Sequence, residues 1–274
     1  MSCKKSSIFS VIFWWLISSG FPGELFANEY ANGVCKNNFS DDWHCVTVQA
    51  GDSWGSLFSD SQYLLKVQKL NRQNVRLRAG QQILLPSKTV AWNKLSPFAQ
   101  EIMTDYKDLF VFSPQLLAWA HYLDGQLISW GPAVGGKSWC GDIRKTCRTK
   151  VGIFSFTETA NVRRRSSSFP VGCVDKDSDG NIISRKQCAR MPYFVRFTNQ
   201  GQGIHSRTMR GRNASHGCVG VFLSDVVYIS NHIRKKIGKT NHGYFTSDEL
   251  IKSQQEIVFM VLPYSKVKLS MQMN

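Results

Sequence analysis

The chain has 274 residues and a formal net charge of +15, with 34 Lys/Arg against 19 Asp/Glu. Hydrophobic residues make up 42% and charged residues 19%, which excludes an acidic disordered chain, a collagenous repeat and a polytopic membrane protein, and leaves one large or two modest globular domains. A basic surface attracts polyanions, from nucleic acid to the anionic polymers and carboxylate-bearing peptides of a bacterial envelope.

At the N-terminus Lys4 and Lys5 precede an apolar run from Ile8 to Ile17, shorter than the about 20 residues a membrane-spanning helix needs. Ser18, Ser19, Gly20 and Pro22 follow, then Leu25-Phe26-Ala27. That order predicts a signal peptide, 1–27, cleaved after Ala27, with no stable membrane insertion afterwards. Cys3 lies too early for a lipid-anchoring site. Export to the periplasm or beyond argues against nucleic acid as a partner.

Beyond Cys3 seven cysteines remain, and six fall into close pairs. In an oxidising compartment the spacing predicts disulfides Cys35 to Cys45, Cys140 to Cys147 and Cys173 to Cys188. Zinc is the rival reading, but no pair has C-x-x-C spacing and no His pair completes a site, so no cofactor or metal is expected. Cys218 is left over, and an odd thiol in an exported chain is a nucleophile or a partner for another chain.

Residues 28–44 read as an irregular segment. From Cys45 to Pro86 short alternating runs at each end (Val46, Val48; Ile83, Leu85) flank two stretches of helical spacing, with Ser53 placed to cap one helix and Asn71 and Asn74 to end another. The pattern is a β-α-α-β unit. Residues 87–108 form a connector with a predicted helix over 97–107. A second domain, 109–264, follows, with strands expected at 109–112, 115–122, 126–134, 151–157, 193–198, 203–205, 218–222 and 256–262. Asp124-Gly125 marks a tight hairpin, and a helix starts at Ser224-Asp225. Residues 265–274 are a tail. The fold class is mainly β with peripheral helices, plus the small β-α-α-β unit.

Residues 140–215 hold 15 Lys/Arg and 5 Asp/Glu. Within them Arg163-Arg164-Arg165 reads as a solvated loop. The run Asp175, Asp177, Asp179, Gly180 has the spacing of a calcium loop, but Lys186 stands where the bidentate Glu belongs, which favours an acidic surface hairpin closed by Cys173 and Cys188.

Gly203-Ile204-His205-Ser206 and Ala214-Ser215-His216-Gly217-Cys218-Val219 bring two histidines and the unpaired cysteine into one short stretch. A thiol becomes a strong nucleophile on ionisation, which a nearby imidazole favours by pairing with the thiolate. Gly217 lets the backbone approach a developing oxyanion.

This stretch resembles the signature of the L,D-transpeptidase catalytic (YkuD) domain, H-[GS] followed by [ST]-H-G-C-[VI]. Val134-Gly135-Gly136-Lys137, Lys150-Val151-Gly152-Ile153-Phe154 and Met191-Pro192-Tyr193 agree in order. The resemblance implies a mixed β-sandwich or barrel-like sheet carrying a cysteine acyltransferase for peptidoglycan stem peptides. Cys218 would be the nucleophile and His205 the general base. Ser206 would orient His205 through its carbonyl, and His216, Gly217 and Cys218 would line an oxyanion hole. Tyr193 is a tentative substrate contact, more simply read as a core aromatic. Family members carry Arg after the C-[VI] pair, where this chain has Gly220; Arg207, Arg210 or Arg212 are the candidates to replace it as contacts for a substrate carboxylate.

Residues 45–86 resemble a LysM module, on Gly51-Asp52-Ser53-Trp54, Leu70-Asn71 and Gly80-Gln81 with Ile83 and Leu85-Pro86. That implies glycan strands as a second partner, bound beside Gly51, Asp52, Ser53 and Trp54, which could equally be capping and core residues. The functional reading is an exported L,D-transpeptidase forming 3-3 crosslinks through a thioester. The alternatives are an L,D-carboxypeptidase using water, or a non-catalytic wall-binding or host-contact protein. The two units are expected to separate near residues 87–96.

Overall fold

The computed structural model describes residues 29–37, 40–159, 162–237, 246, 248 and 256–264. The expected signal peptide and the tail 265–274 lie outside the described residues. The elements are α1 (Glu29–Asn37), β1 (Trp43–Thr47), α2 (Trp54–Leu57), α3 (Ser61–Leu70), β2 (Gln82–Pro86), a 3-10 turn (Trp92–Leu95), β3 (Asp108–Ser113), β4 (Ala118–Leu123), β5 (Gln126–Val134), β6 (Gly152–Phe154), β7 (Glu158–Thr159), β8 (Asp175–Lys176), β9 (Ile182–Ser184), β10 (Val195–Arg196), β11 (Gly203–Ser206), β12 (Val219–Val221), α4 (Leu223–Ile237) and β13 (Val258–Val261).

The fold is mainly β. Nine strands form one curled sheet in the order β6-β13-β3-β4-β5-β12-β11-β10-β7, while β1 pairs with β2 and β8 with β9. Asp124 and Gly125 turn between β4 and β5 with φ of 47° and 80°, the left-handed pair that a two-residue hairpin requires.

The centre of the sheet is apolar on both faces. Phe110 and Phe112 of β3 and Trp119 of β4 face a core shared with Val226, Ile229 and Ile233 of α4. Leu109 and Val111, with Ala120, Tyr122 and Trp130, face the opposite way into a core shared with Ala31, Leu70, Leu84 and Leu95. Period-two alternation sends successive side chains to opposite faces, so a strand buried throughout needs a cover on each side. α4 covers one face. The N-terminal unit covers the other.

That packing removes the expected independence of the two units. The β-α-α-β order is present, and Ser53 caps α2 in a capping box, but α3 and β2 sit on the sheet as part of its second core. Arg72, fully buried just after α3, stacks 3.6 Å from the Tyr30 ring centroid. Lys69 is ion-paired with buried Asp225 of α4. Asp225 therefore lies within the first turn of α4 as a buried partner of Lys69 and Trp119.

Two local expectations are corrected. Glu29–Asn37 is helical, not irregular; its Gly and Asn content gives weak intrinsic propensity, and tertiary packing of Ala31 with the Cys35–Cys45 disulfide holds it. The helix expected over 97–107 is absent. The Gln100 carbonyl accepts from the Leu127 amide and the Ile102 amide donates to the Gly125 carbonyl, both along the β4–β5 hairpin, so the backbone groups a helix would use are taken. Just before it, Trp92 stacks on Trp130 at 4.3 Å, each indole N–H donating to the other's carbonyl.

All three expected disulfides are formed: Cys35–Cys45, Cys140–Cys147 and Cys173–Cys188. The triple-arginine run is a solvated loop only in part: Arg163 is exposed, whereas Arg164 and Arg165 turn inward. Arg164 lies 3.0 Å from buried Glu158, which also accepts from Arg196 at 2.6 Å, and Arg165 donates to the Cys188 carbonyl. A buried carboxylate draws cations inward.

Candidate active site

β11 and β12 run parallel, with Ile204 opposite Val219, His205 opposite Gly220 and Ser206 opposite Val221. One step back along this ladder Cys218 stands beside Gly203, whose amide hydrogen-bonds its sulfur. Because side chains alternate along strands, Cys218, His205 and the place of Gly220 share one face. Met191 and Phe194 pack beside the half-buried Cys218.

His205 is buried, and its Nδ1 lies 2.8 Å from the Ser206 carbonyl oxygen. A carbonyl only accepts, so Nδ1 carries the proton and Nε2 keeps its lone pair. Burial pushes the imidazole down to about 4, with the Ser206 hydrogen bond opposing and the Arg207 charge adding to the shift. The Cys218 thiol is pushed up by burial, against the Gly203 amide and the charges of Arg207 and Arg196. Desolvation therefore works against the charged form of each group, and so against the expected thiolate–imidazolium pair.

The turn before Cys218 is stiff. Ser215 Oγ accepts from the Gly217 amide at 3.1 Å and donates to the Cys218 carbonyl. Gly217 has a φ of +117°, and a Cβ there would lie 2.6 Å from Gln202 Nε2. His216 points elsewhere: its Nε2 is 3.0 Å from Asp142, in the loop closed by Cys140–Cys147, and its ring sits 3.6 Å from that of Phe169. Asp142, Gln202 and Phe169 were not apparent from the sequence, where they carry no motif and lie far from Cys218 along the chain.

Of the three candidate arginines Arg207 is the one whose charge acts on Cys218. Its chain lies across Gly220, where a Cβ would fall 1.9 Å from Arg207 Cδ. Arg210 is exposed and pairs by backbone with Gln73, while Arg212 lies farther along the same loop. Tyr193 packs against the core cluster with a φ of 55°.

The L,D-transpeptidase catalytic domain (YkuD) family matches residues 107–249, more than half of the chain. The chain belongs to this family. Among solved structures, an L,D-transpeptidase from Mycobacterium smegmatis is 16% identical with a TM-score of 0.38, covering 57% of this chain and 59% of that one. One from Stackebrandtia nassauensis is 14% identical with a TM-score of 0.36 and covers 61% of each. A third, residues 123–326 of the L,D-transpeptidase from Xylanimonas cellulosilytica, is 14% identical with a TM-score of 0.43 and covers 79% of this chain and 97% of that one. The chain thus spans less than two thirds of the length of the first two. No curated protein matches it. In this YkuD chain the signature segment supplies β11, the turn of Ser215 to Gly217, and β12.

The other predicted site residues are engaged locally. Asp52 accepts from the Gln49 amide, Ser53 from Ser56, and the Trp54 indole donates to the Val75 carbonyl while its ring packs on Val48, Leu77 and Ile83. Gly51 turns at a φ of 91°. Asp177 Oδ1 accepts from the amides of Asp179 and Asn181, closing the β8–β9 hairpin in which Asp175 pairs with Ser184.

Proposed function

We propose that the protein is an exported peptidoglycan L,D-transpeptidase acting through Cys218. The observation that carries this reading is the placement of Cys218 and His205 on one face of the β11–β12 ladder, with His205 Nε2 left as the free ring nitrogen, inside a YkuD catalytic domain. The Cys218 sulfur attacks the carbonyl of the third stem residue as its proton passes to His205 Nε2. The C–N bond to the terminal D-alanine breaks, that amine takes the proton from His205, and a thioester remains. An amine from a neighbouring stem attacks the thioester, loses its proton to His205 and leaves a 3-3 crosslink with the thiol regenerated. The backbone amide of Cys218 would meet the oxyanion, since that of Gly217 already donates to Ser215 Oγ. The signal-like N-terminus and three disulfides support an extracytoplasmic location. The LysM-like residues 45–86 would hold glycan strands against the catalytic unit.

Intact mass after incubation with a carbapenem tests the acyl-enzyme; an adduct on Cys218 is expected, and an unmodified protein sinks the reading. Muropeptide analysis then separates crosslinked dimers, expected here, from the tripeptides that hydrolysis would leave.

A further inference from the structure

Asp108 opens β3, His121 sits on β4 and His232 on α4, and their ligand atoms all lie within 4.8 Å of one another. The carboxylate accepts from both rings. Asp108 Oδ1 lies 2.9 Å from His121 Nε2, and Oδ2 lies 2.7 Å from His232 Nε2. Asp108 and His121 are buried, while the His232 side chain is 17% exposed. Asp108 and His232 stand 124 positions apart in the chain, so no short motif announces the set.

Two imidazole nitrogens and a carboxylate are donors that zinc accepts. With bonds of about 2.0–2.1 Å, the ligand atoms of a tetrahedral zinc stand about 3.3 Å apart, so the two nitrogen–oxygen separations need open by only about 0.5 Å. The other ring nitrogen of His121 is already supported, since Nδ1 lies 2.6 Å from Tyr228 Oη. A hydroxyl gives or takes a hydrogen bond. When His121 Nε2 binds a cation, its proton moves to Nδ1 and Tyr228 turns from donor to acceptor, the outer contact that metal-bound histidines use. Tyr228 and His232 stand one turn apart on α4, so one helix supplies both. Phe110 fixes the ring planes, stacked 4.1 Å from His121 and edge-on to His232 at 5.6 Å. Lys236 Nζ, 3.9 Å from Asp108 Oδ2, opposes a cation, but its side chain is 45% exposed and its flexible stem reaches solvent.

We infer that Asp108, His121 and His232 form a zinc site that pins α4 to β3 and β4, with water as the fourth ligand on the open side of His232. Two nitrogen donors to one carboxylate favour zinc over magnesium or calcium, which take oxygen. α4 covers one face of the sheet, so a cation bound there stabilises the folded chain.

The test uses the full chain lacking residues 1–27, with its disulfides intact and carrying Cys218→Ala to remove the free thiol. Stripped with a chelator and dialysed, it is titrated calorimetrically with zinc chloride at neutral pH. One equivalent should bind with micromolar or tighter affinity, and the melting temperature should rise with zinc. His232→Gln keeps a donor for Asp108 but removes a ligand, and should weaken binding at least about a hundredfold; Tyr228→Phe should weaken it about tenfold. Lys236→Ala, at the surface, should tighten it about two- to fivefold. Zinc-edge X-ray absorption of the parent protein should show two imidazoles and no sulfur, a readout that stands even if His232→Gln fails to fold. No saturable binding, undiminished affinity in folded His232→Gln, or a zinc shell without two imidazoles overturns the inference.

Discussion

Arg207 occupies the space that a side chain at Gly220 would fill, since a Cβ there would sit 1.9 Å from its Cδ and 2.3 Å from its Cγ. The strand adjacent to Gly220 extends into a loop whose first residue, Arg207, lays its side chain over that glycine, and its charge acts on Cys218.

Gly220→Ala should displace Arg207 and raise the KM for a stem tetrapeptide about tenfold, the size of a lost charged hydrogen bond. Arg207→Ala should do the same, and the double variant should lose little more than either single one, because both remove one interaction. Steady-state kinetics of the three variants checks this; additive losses would separate the two residues.

Desolvation of the thiol and the imidazole makes a pH prediction. Carbapenem acylation should persist below neutrality and fail only as His205 protonates, at about 4. Alkylation of Cys218 by iodoacetamide should rise steadily into the alkaline range, since burial pushes the thiol up. A flat alkylation profile across neutral pH would indicate a thiolate–imidazolium pair instead.

Stability should fall in acid in two windows. His205 has a folded pKa of about 4, below its unfolded value of about 6.5, so its contribution is complete above about 6.5 and is lost as pH falls toward 4. Asp108 is buried, which alone would raise it, yet hydrogen bonds from His121 and His232 hold it at about 2. Its contribution, about 2 kcal/mol, is complete above about 4 and is lost as pH falls toward 2. Thermal melts across pH should show both windows, and Asp108→Asn should remove the lower one.

Lys69→Met should destabilise the protein by about 3 kcal/mol, because Asp225 stays buried without its cation. Adding Asp225→Asn should recover part of that loss. A fragment beginning at Leu95 should melt well below the full chain, since it bares the face carrying Leu109, Val111 and Tyr122. Denaturant melts of these proteins check the shared core.

Under denaturing, non-reducing conditions the chain lacking residues 1–27 should take up one alkylating label, at Cys218, the free cysteine among the described residues. Peptide mapping by mass spectrometry locates it; a second label would break one of the three disulfides.

The disulfide pairs and the closeness of His205 to Cys218 were legible in the sequence because each depends on residues close along the chain. His205 and Cys218 end up side by side through one parallel strand pair, and each disulfide closes a short loop. The strand pattern of the sheet was legible for the same local reason, since the apolar runs and the Asp124-Gly125 turn report on neighbours a few residues away. What lay beyond the sequence depended on which surfaces meet. Leu109 and Val111 look like ordinary strand residues until the N-terminal unit is seen covering them, and α1 forms because that cover needs Ala31. The direction of the pKa shifts at His205 and Cys218 likewise depended on burial, which Met191 and Phe194 supply at Cys218. Only tertiary packing decided that, of the three candidate arginines, Arg207 is the one whose charge acts on Cys218, because the vacancy it fills belongs to Gly220 on the neighbouring strand.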